Sequence, residues 1–391
     1  MSNLNIIKKN ILVITDSYFP KNNSGAIMLG DFIKFSKLIF NFIIITFNPD
    51  IKEKYSVKIL DDQIIIYLKV WKNNNYLTRF LSESLYSYKI INFFKHNSFI
   101  NLDYIVTYSP SIFFGKSINY LKKIYSCKNY LIQRDIFPDW AFKQGLIKSN
   151  IIYKYLKKIE KNNYNSADHI GVESTGGYEY FIKNGFNNVE ILNNWIANNK
   201  TIQETHKKIK YKTKYIYAGN LGIAQDFYSL LTNINFAELQ KNNIQIIICG
   251  GGKQISQITN FIKELPKDTI KYIGELNRED YLKELYDCDA GIVSLSIKTY
   301  MSNYPFKFID YIRNDIPIIA HINKNNELKK FIEINQIGLC SDDSSYDEFN
   351  KNLILMTKKN ITYDFKKNCK KTFEKYFSIE RAFKVIESKL K

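Results

Sequence analysis

The fold is decided by residues 10–38, NILVITDSYFPKNNSGAIMLGDFIKFSKL, which combine an apolar run, a polar loop and an amphipathic segment. Residues 10–15 are strand-sized and apolar, and apolar residues recur at helical spacing over 27–38. The loop between them contains Asp16, Ser24 and Gly25. A loop that joins a strand to a helix N-terminus presents backbone N–H groups to polar ligands. These three residues are therefore candidate ligand contacts; the alternative is an ordinary capped turn.

The same alternation continues along the chain. Helical periodicity follows several of the apolar runs, as at 111–125 and 153–165. Buried strands that alternate with helices are typical of a parallel sheet covered on both faces. The predicted strands are 10–15, 42–47, 63–68, 104–108, 130–133 and 169–173, then 215–217, 244–249, 270–273, 290–295 and 316–320.

The two series of strands are separated by a polar stretch at 198–214 that has no apolar period. The length of 391 residues suits about two or three domains. We therefore predict two similar α/β domains, with ligands at the carboxyl ends of the strands and in a cleft between the domains.

Composition excludes several classes of protein. No apolar run approaches the 18 or so residues of a membrane-spanning helix, and the first residues do not resemble a signal peptide. The five cysteines and four histidines are scattered, so neither a disulfide framework nor a zinc site is indicated. With 45% hydrophobic and 15% aromatic residues, the chain is not of the disordered class. A cytoplasmic location is the expectation.

The net charge of +18 is unevenly distributed: residues 1–200 contain 26 basic and 15 acidic residues, a net of +11. A basic first half suits nucleic acid, an anionic membrane surface or a phosphorylated substrate. The alternative is a solvated surface in a lysine-rich proteome. Because no nucleic-acid-binding module is present, we do not expect a nucleic-acid partner.

A pair of opposite charges, Arg134 and Asp135, follows the predicted strand 130–133 inside LIQRDIFPDW. Apolar residues on both sides imply partial burial, and a buried charge needs a partner or a ligand. A surface ion pair is the alternative.

Two glycine-containing turns close strands of the second series. Gly219 and Asn220 follow strand 215–217, and Gly250 and Gly251 follow strand 244–249. Such turns can line a backbone pocket or cradle phosphate, but a run of glycines is also common in simple turns.

The stretch NYPFKFIDYI at 303–312 is the richest in chemistry, and Tyr304 and Pro305 lead into its helix. Lys307 falls in the first helical turn, where the helix dipole disfavours a cation. A lysine there makes sense beside a bound anion, and Asp310, one turn on, can accept hydrogen bonds from sugar hydroxyls. The alternative is a plain Lys307–Asp310 pair.

Together these motifs resemble the retaining GT-B glycosyltransferases of family 4, and within them the fucosamine-type transferases of O-antigen and capsule synthesis. The matching segments run nearly from end to end of the chain. They are residues 11–32, LIQRDIFPDWAFKQGLIK (131–148), YAGNLGIAQ (217–225), GGGKQ (250–254), YIGELNREDY (272–281), NYPFKFIDYIRNDIPIIAHIN (303–323) and FSIERAFKVI (377–386).

The resemblance implies two Rossmann-like domains that face each other across a cleft. Residues 1–195 would bind the acceptor and 215–370 the nucleotide-sugar, with a linker at 196–214. Residues 371–391 would form a helix that returns to the first domain.

The resemblance also implies roles for individual residues. Gly219 and Asn220 would line the diphosphate pocket, Lys307 would contact the diphosphate and Asp310 the ribose. On the acceptor side it implies Asp16, Gly25, Arg134 and Asp135, with Asp135 as the candidate base.

Two departures from the family pattern concern charge. The basic residues that usually follow the first strand of the second domain are replaced by Asn220 and Gln225, and the usual pair of glutamates by Ser302 and Asp310. Lys307 is therefore expected to carry much of the charge neutralisation.

The predicted function is transfer of an N-acetylated or deoxy sugar, with retention, from a UDP-sugar to a lipid-linked or oligosaccharide acceptor. No metal or other cofactor is expected, and the inner face of the cytoplasmic membrane is the expected location. The alternatives are a catalytically silent GT-B protein of a polysaccharide assembly and a GT-B nucleotide-sugar epimerase.

Overall fold

The chain forms two compact units, Met1–Ala197 with Ala382–Lys391 and Asn198–Arg381. The computed structural model describes residues 8–21, 23–72, 76–97, 101–143, 145–198, 213–266, 268–296, 304–342 and 345–390. Most of the predicted linker at 196–214 lies outside these residues, as does Ser302.

The first unit is an α/β layer structure. Its elements are β1 (Lys9–Thr15), α1 (Ser24–Ser36), β2 (Phe40–Asn48), β3 (Tyr55–Leu60), β4 (Gln63–Lys69), α2 (Tyr76–Ser84), α3 (Tyr86–His96), β5 (Tyr104–Tyr108), α4 (Gly115–Tyr125), β6 (Lys128–Gln133), α5 (Asp139–Lys143), α6 (Asn150–Asn165), β7 (His169–Val172), α7 (Thr175–Lys183) and β8 (Val189–Ile191).

The strands of this unit form one eight-stranded sheet in the order β3-β4-β2-β1-β5-β6-β7-β8. The apolar runs of the sequence become its central strands: Ile11, Leu12 and Ile14 are fully buried in β1. The direction of chain growth along the sheet reverses between β1 and β5, and ligands of such sheets bind at this switch point, beyond the carboxyl ends of the strands.

An antiparallel edge hairpin departs from the predicted all-parallel arrangement. β3 pairs antiparallel with β4, with Leu60 opposite Gln63. The turn residues Asp61 and Asp62 both have positive φ, 50° and 66°, as a tight hairpin turn requires. β3 is largely exposed, so it lacks the buried run from which the other strands were predicted.

The second unit repeats the α/β architecture on a smaller sheet. Its elements are β9 (Thr213–Ala218), α8 (Phe227–Thr232), α9 (Phe236–Lys241), β10 (Ile244–Cys249), α10 (Ile255–Lys263), β11 (Ile270–Tyr272), α11 (Arg278–Tyr286), β12 (Ala290–Ser294), α12 (Phe306–Arg313), β13 (Ile318–His321), α13 (Glu327–Asn335), β14 (Gly338–Ser341), α14 (Tyr346–Leu355) and α15 (Lys359–Tyr376).

The six strands of the second unit are all parallel, in the order β11-β10-β9-β12-β13-β14. This is the doubly wound order, and its switch point lies between β9 and β12. The loop that follows β9 begins at Gly219, so the glycine turn selected from the sequence lies at this switch point.

The last helix, α16 (Ile379–Leu390), passes from the second unit into the first at residue 382. Within the first unit, the ring of Phe383 packs against the rings of Phe32, Phe35 and Phe40 at centroid distances of 5.5–6.3 Å. Residue 371, where the sequence predicts the returning helix to begin, lies inside α15, which belongs to the second unit.

Among the described helices, none combines the length and apolar character needed to span a bilayer.

Candidate functional site

The switch point of the second sheet is built from tightly packed glycine turns. A side chain at Gly250 would place its Cβ 2.0 Å from the Gly219 carbonyl oxygen, and one at Gly251 would lie 1.8 Å from the Glu275 carboxylate. The Gly250 N–H donates to the Gly274 carbonyl at 2.9 Å. Close packing against backbone therefore accounts for Gly250 without a bound phosphate, whereas the Glu275 side chain near Gly251 is free to turn away.

Lys307 lies in the first turn of α12, as predicted, and points back toward the end of β9. A Cβ built on Gly219 would lie 3.1 Å from the Lys307 Cε. The Lys307 Nζ is 3.7 Å from the centroid of the Tyr217 ring, a cation–π distance. Although the residue as a whole is only partly buried, its Nζ is sealed from solvent and has no hydrogen-bond partner.

The electrostatic state of Lys307 follows from this environment. Burial lowers the pKa of its amine from 10.5 to about 7. The i,i+3 pair with Asp310 that was the alternative prediction is not formed. An unpartnered cationic group in a dry site is costly to keep, so its presence favours an anionic ligand at this position.

Asp310 instead pairs with Arg278, a residue that the sequence analysis missed. The two guanidinium nitrogens Nη1 and Nη2 donate to the two carboxylate oxygens of Asp310, each at 2.7 Å. The Asp310 side chain is 7% exposed, whereas that of Arg278 is 53% exposed. Arg278 opens α11, so it is another cation in a first helical turn, the same signal that selected Lys307.

The other predicted donor-side residues have varied surroundings. Asn220 is exposed, and its amide donates to the Gln225 side chain at 3.3 Å, which links the two residues that depart from the family pattern. Tyr304 is buried, donates to Glu327 at 3.2 Å and packs on the Phe377 ring. Tyr304 is thus part of the core, and Pro305 is the residue before α12 begins.

Tyr311, also missed, fixes α12 against the sheet. Its hydroxyl accepts from the Ala218 N–H at 2.8 Å and donates to the Ile216 carbonyl at 3.3 Å. Only a glycine fits below its ring, since a Cβ at Gly291 would lie 2.2 Å from it. This contact holds the Lys307 turn at the carboxyl end of β9.

In the first unit, the predicted residues Asp16 and Gly25 lie at the switch point between β1 and β5. Asp16 follows β1, Tyr108 ends β5 and Glu173 follows β7, and all three are buried. A Cβ at Gly25 would lie 2.7 Å from the Tyr108 hydroxyl, so only glycine lets the start of α1 approach Tyr108 this closely. Ser24, the first residue of α1, is exposed.

Arg134 has a partly unsatisfied guanidinium. Its Nη1 donates to the Leu192 carbonyl at 2.9 Å, and the group lies over the Trp195 ring at 5.6 Å. Its Nε and Nη2 are buried and have no hydrogen-bond partner. Burial lowers the pKa of Arg134, against the opposing effect of the Glu173 carboxylate.

The carboxyl group of Asp135 has a perturbed pKa. Burial raises the pKa of its carboxyl group, and the nearby Arg134 and Arg79 oppose that rise. Arg79 also pairs with the buried Glu83 at 2.6 Å. Tyr108, Glu173, Arg79 and Glu83 were not predicted, because they come from separate elements that carry no shared motif.

No group of three or more potential metal-ligating His, Cys, Asp or Glu residues occurs in the described part of the chain.

Known proteins resemble this chain in sequence and in fold. Residues 198–375, which span nearly all of the second unit, match the family model "Glycosyl transferases group 1". A curated relative, the probable glycosyltransferase WbjE of Pseudomonas aeruginosa, is 23% identical over 220 residues, which are 53% of this chain and 54% of the relative. The match thus spans about half the length of WbjE.

Solved structures match this chain over nearly its whole length. Sucrose-phosphate synthase of Thermosynechococcus elongatus has a TM-score of 0.71 at 10% identity, covering 97% of this chain and 98% of that one. WaaG, a glycosyltransferase of lipopolysaccharide biosynthesis, has a TM-score of 0.65 at 12% identity and covers 96% and 99%. These likenesses confirm the predicted GT-B fold.

Proposed function

We propose that the protein transfers a sugar from a nucleotide-sugar to a saccharide acceptor in the synthesis of a lipopolysaccharide or another surface polysaccharide. The match of residues 198–375 to the group 1 glycosyltransferase model supports sugar transfer. The names of WbjE and WaaG support a role in the synthesis of lipopolysaccharide or another surface polysaccharide. The observation that carries the proposal is the buried, unpartnered Lys307 Nζ at the switch point of the second sheet.

Lys307 would act on the leaving group. When the glycosidic bond breaks, negative charge develops on the departing nucleoside diphosphate. An amine that is already held in place in a low-dielectric site stabilises that charge, once protonated, without having to move. The N-terminus of α12 adds backbone N–H groups pointing the same way. Because protein groups supply this charge, we expect turnover to be insensitive to EDTA.

On the acceptor side, Asp135 would take the proton of the attacking hydroxyl. A pKa raised by burial brings a carboxylate closer to the working pH of a general base. We further propose that attack occurs on the face from which the diphosphate leaves, which retains the anomeric configuration. The anomeric coupling constant of the product, measured by NMR, tests this.

The finer identity of the substrates follows the resemblance to family 4 and its fucosamine-type members. We propose a UDP-linked N-acetylated or deoxy hexose as the donor and a lipid-linked saccharide as the acceptor, at the inner face of the cytoplasmic membrane. Mass spectrometry of products from a panel of UDP-sugars and lipid-linked acceptors tests this choice.

The decisive experiment replaces the amine of Lys307 and keeps its bulk. We expect Lys307→Met to lose UDP binding in calorimetry and to lose sugar transfer. Its melting temperature should stay the same or rise, because an unpartnered buried amine has been removed. The control is Lys330→Ala, which removes an exposed lysine of α13 and should leave both activities intact.

Other outcomes separate the alternatives. Wild-type turnover in Lys307→Met would contradict the donor assignment. Conversion of a UDP-sugar with no acceptor present would indicate an epimerase, and UDP binding without turnover on the whole panel would indicate a catalytically silent protein.

A further inference from the structure

The start of α6 and the loop before it expose an unusual set of large apolar side chains. Leu146 is 55% exposed, Ile151 81%, Ile152 52% and Tyr155 59%. We call these four residues the apolar patch. The opposite side of the helix faces the interior of the first unit, with Glu160 and Tyr164 buried. The exposure is therefore confined to one side of α6.

The apolar patch lies in a strongly basic segment. Residues 140–159 contain five lysines and no acidic residue. Four of these lysines are exposed: Lys143, Lys148, Lys154 and Lys158. Because positions three and four apart are neighbours on a helix, Lys154 and Lys158 lie beside Ile151 and Tyr155.

The nearest acidic residues in the sequence are turned inward. Asp139 accepts hydrogen bonds from Tyr153 at 2.8 Å and from Tyr180 at 2.6 Å. Glu160 is buried, accepts from Tyr164 at 2.9 Å and pairs with Lys157. These carboxylates are thus paired inside the unit, and every exposed charge of residues 140–159 is positive.

We propose that the apolar patch and its lysines dock onto an anionic lipid bilayer. An apolar helix face bordered by lysines suits the membrane interface, where the apolar side chains enter the headgroup region and the lysines contact anionic lipid. Lysine is depleted from the centres of protein–protein interfaces, so the same border disfavours a protein partner.

The docking surface is tied to the candidate acceptor residues. Asp139 lies four residues after Asp135, and its carboxylate is held by Tyr153 and Lys157, both on α6. The helix that would rest on lipid thus shares a hydrogen-bond network with the segment that contains Arg134 and Asp135. This step rests on the proposed function, since a lipid-linked acceptor would be presented from the same bilayer.

Vesicle co-sedimentation of the full-length protein tests the docking. We expect binding to vesicles of phosphatidylcholine with phosphatidylglycerol at low salt, and little binding to phosphatidylcholine alone or at high salt. Lys154→Gln/Lys158→Gln should lower binding by about thirtyfold, because each lysine near the surface contributes about five- to sixfold. Ile151→Ser/Ile152→Ser should lower binding by roughly tenfold or more through lost apolar burial.

The matched control is Ile334→Ser, which removes an isoleucine that is 79% exposed on the second unit and should leave binding unchanged. The proposal is overturned if the wild type does not bind anionic vesicles at low salt. It is also overturned if Lys154→Gln/Lys158→Gln and Ile151→Ser/Ile152→Ser both bind vesicles as tightly as the wild type does. A wild-type dimer that Ile151→Ser/Ile152→Ser converts to a monomer, without lipid binding, would assign the patch to a second copy instead.

Activity assays keep this proposal distinct from the proposed function. On a water-soluble acceptor the patch variants should keep wild-type turnover, whereas on an acceptor embedded in vesicles they should lose it. Lys307→Met should show the reverse pattern, with vesicle binding intact and turnover lost on both acceptors.

Discussion

At the scale of the residue, Lys307 couples donor binding to protonation. Its amine has no acceptor, and burial lowers its pKa to about 7, so above neutral pH the free protein holds it largely neutral. A diphosphate in contact with the amine would favour the charged form and raise its pKa again. Binding would then require the uptake of a proton.

We therefore predict that UDP binds most tightly below about pH 7 and more weakly as the pH rises. Below that pH the amine is charged in both the free and the UDP-bound protein, so its protonation does not change the affinity. Above that pH, the affinity for UDP should fall by up to about tenfold per pH unit. Calorimetry at pH 8 in buffers of different ionisation enthalpy should report uptake of close to one proton. At pH 6, where the free amine is already charged, this uptake should disappear; an equal uptake at pH 6 and pH 8 would refute the coupling.

Arg278 is a second residue-scale feature, since it holds both oxygens of Asp310. We expect Arg278→Ala to lower the free energy of unfolding by about 1–2 kcal/mol, less than for a fully buried pair because Arg278 is half exposed. Arg278→Lys should restore little of the lost stability, because an ammonium cannot reproduce the two parallel hydrogen bonds to Asp310. Urea denaturation measures both.

The control for Arg278 is on the same helix. Lys283→Ala removes exposed pairs with Glu279 and Asp280 and should leave the denaturation midpoint unchanged. An equal loss of stability in Arg278→Ala and Lys283→Ala would mean that the Arg278–Asp310 pair stabilises the fold no more than the exposed pairs do.

At the scale of the element, the glycine turn after β10 is tightly packed. Gly250 has φ +133° and would place a Cβ 2.0 Å from the backbone oxygen of Gly219. Gly274 also has a positive φ, +78°, but a Cβ there would meet nothing within 4 Å.

These two glycines form a matched pair for a stability experiment. We predict that Gly250→Ala costs about 3 kcal/mol or more, through backbone strain and overpacking together. Gly274→Ala should cost only about 1 kcal/mol, from strain alone. Chemical denaturation measures the free energy of unfolding of both variants. Similar losses of stability would show that the turn after β10 can rearrange to accept a Cβ at residue 250.

How far the sequence predicts these elements depends on burial. The fully apolar runs were assigned to the correct strands, as with β5 and β10, because central parallel strands are buried on both faces. β3 and β8 were missed because they are edge strands with no buried residue, and β14 because its sequence, GLCS, is not an apolar run. Lys307 was predictable from its helical turn alone. The Arg278–Asp310 pair was not, because only tertiary packing brings together residues 32 positions apart.

At the scale of the whole molecule, the first unit is completed by a segment from the other end of the chain. Ile386 of α16 is fully buried. The Nζ of Lys389 lies 3.7 Å from the carboxylate of Glu190, a residue of β8. We predict that Ile386→Ala lowers the stability of the first unit by about 2–5 kcal/mol, because it leaves a cavity in a packed core.

Hydrogen exchange resolves the effect of Ile386→Ala by unit. Amides of β1 and β5 should exchange faster, while those of β9 and β10 keep their protection. The exposed Lys384→Ala on the same helix is the control and should change neither set. Equal losses in both units would show that they unfold together.

The chain crosses from the first unit to the second and back again, and this sets the order in which the two units can fold during synthesis. Residues 198–381 stand between the two parts of the first unit, so the whole second unit is made before α16 is complete. Domains fold as they leave the ribosome once all their residues are available. The unit that begins first is therefore finished last, and until then the surface that α16 covers on Phe32 and Phe40 is open to chaperones.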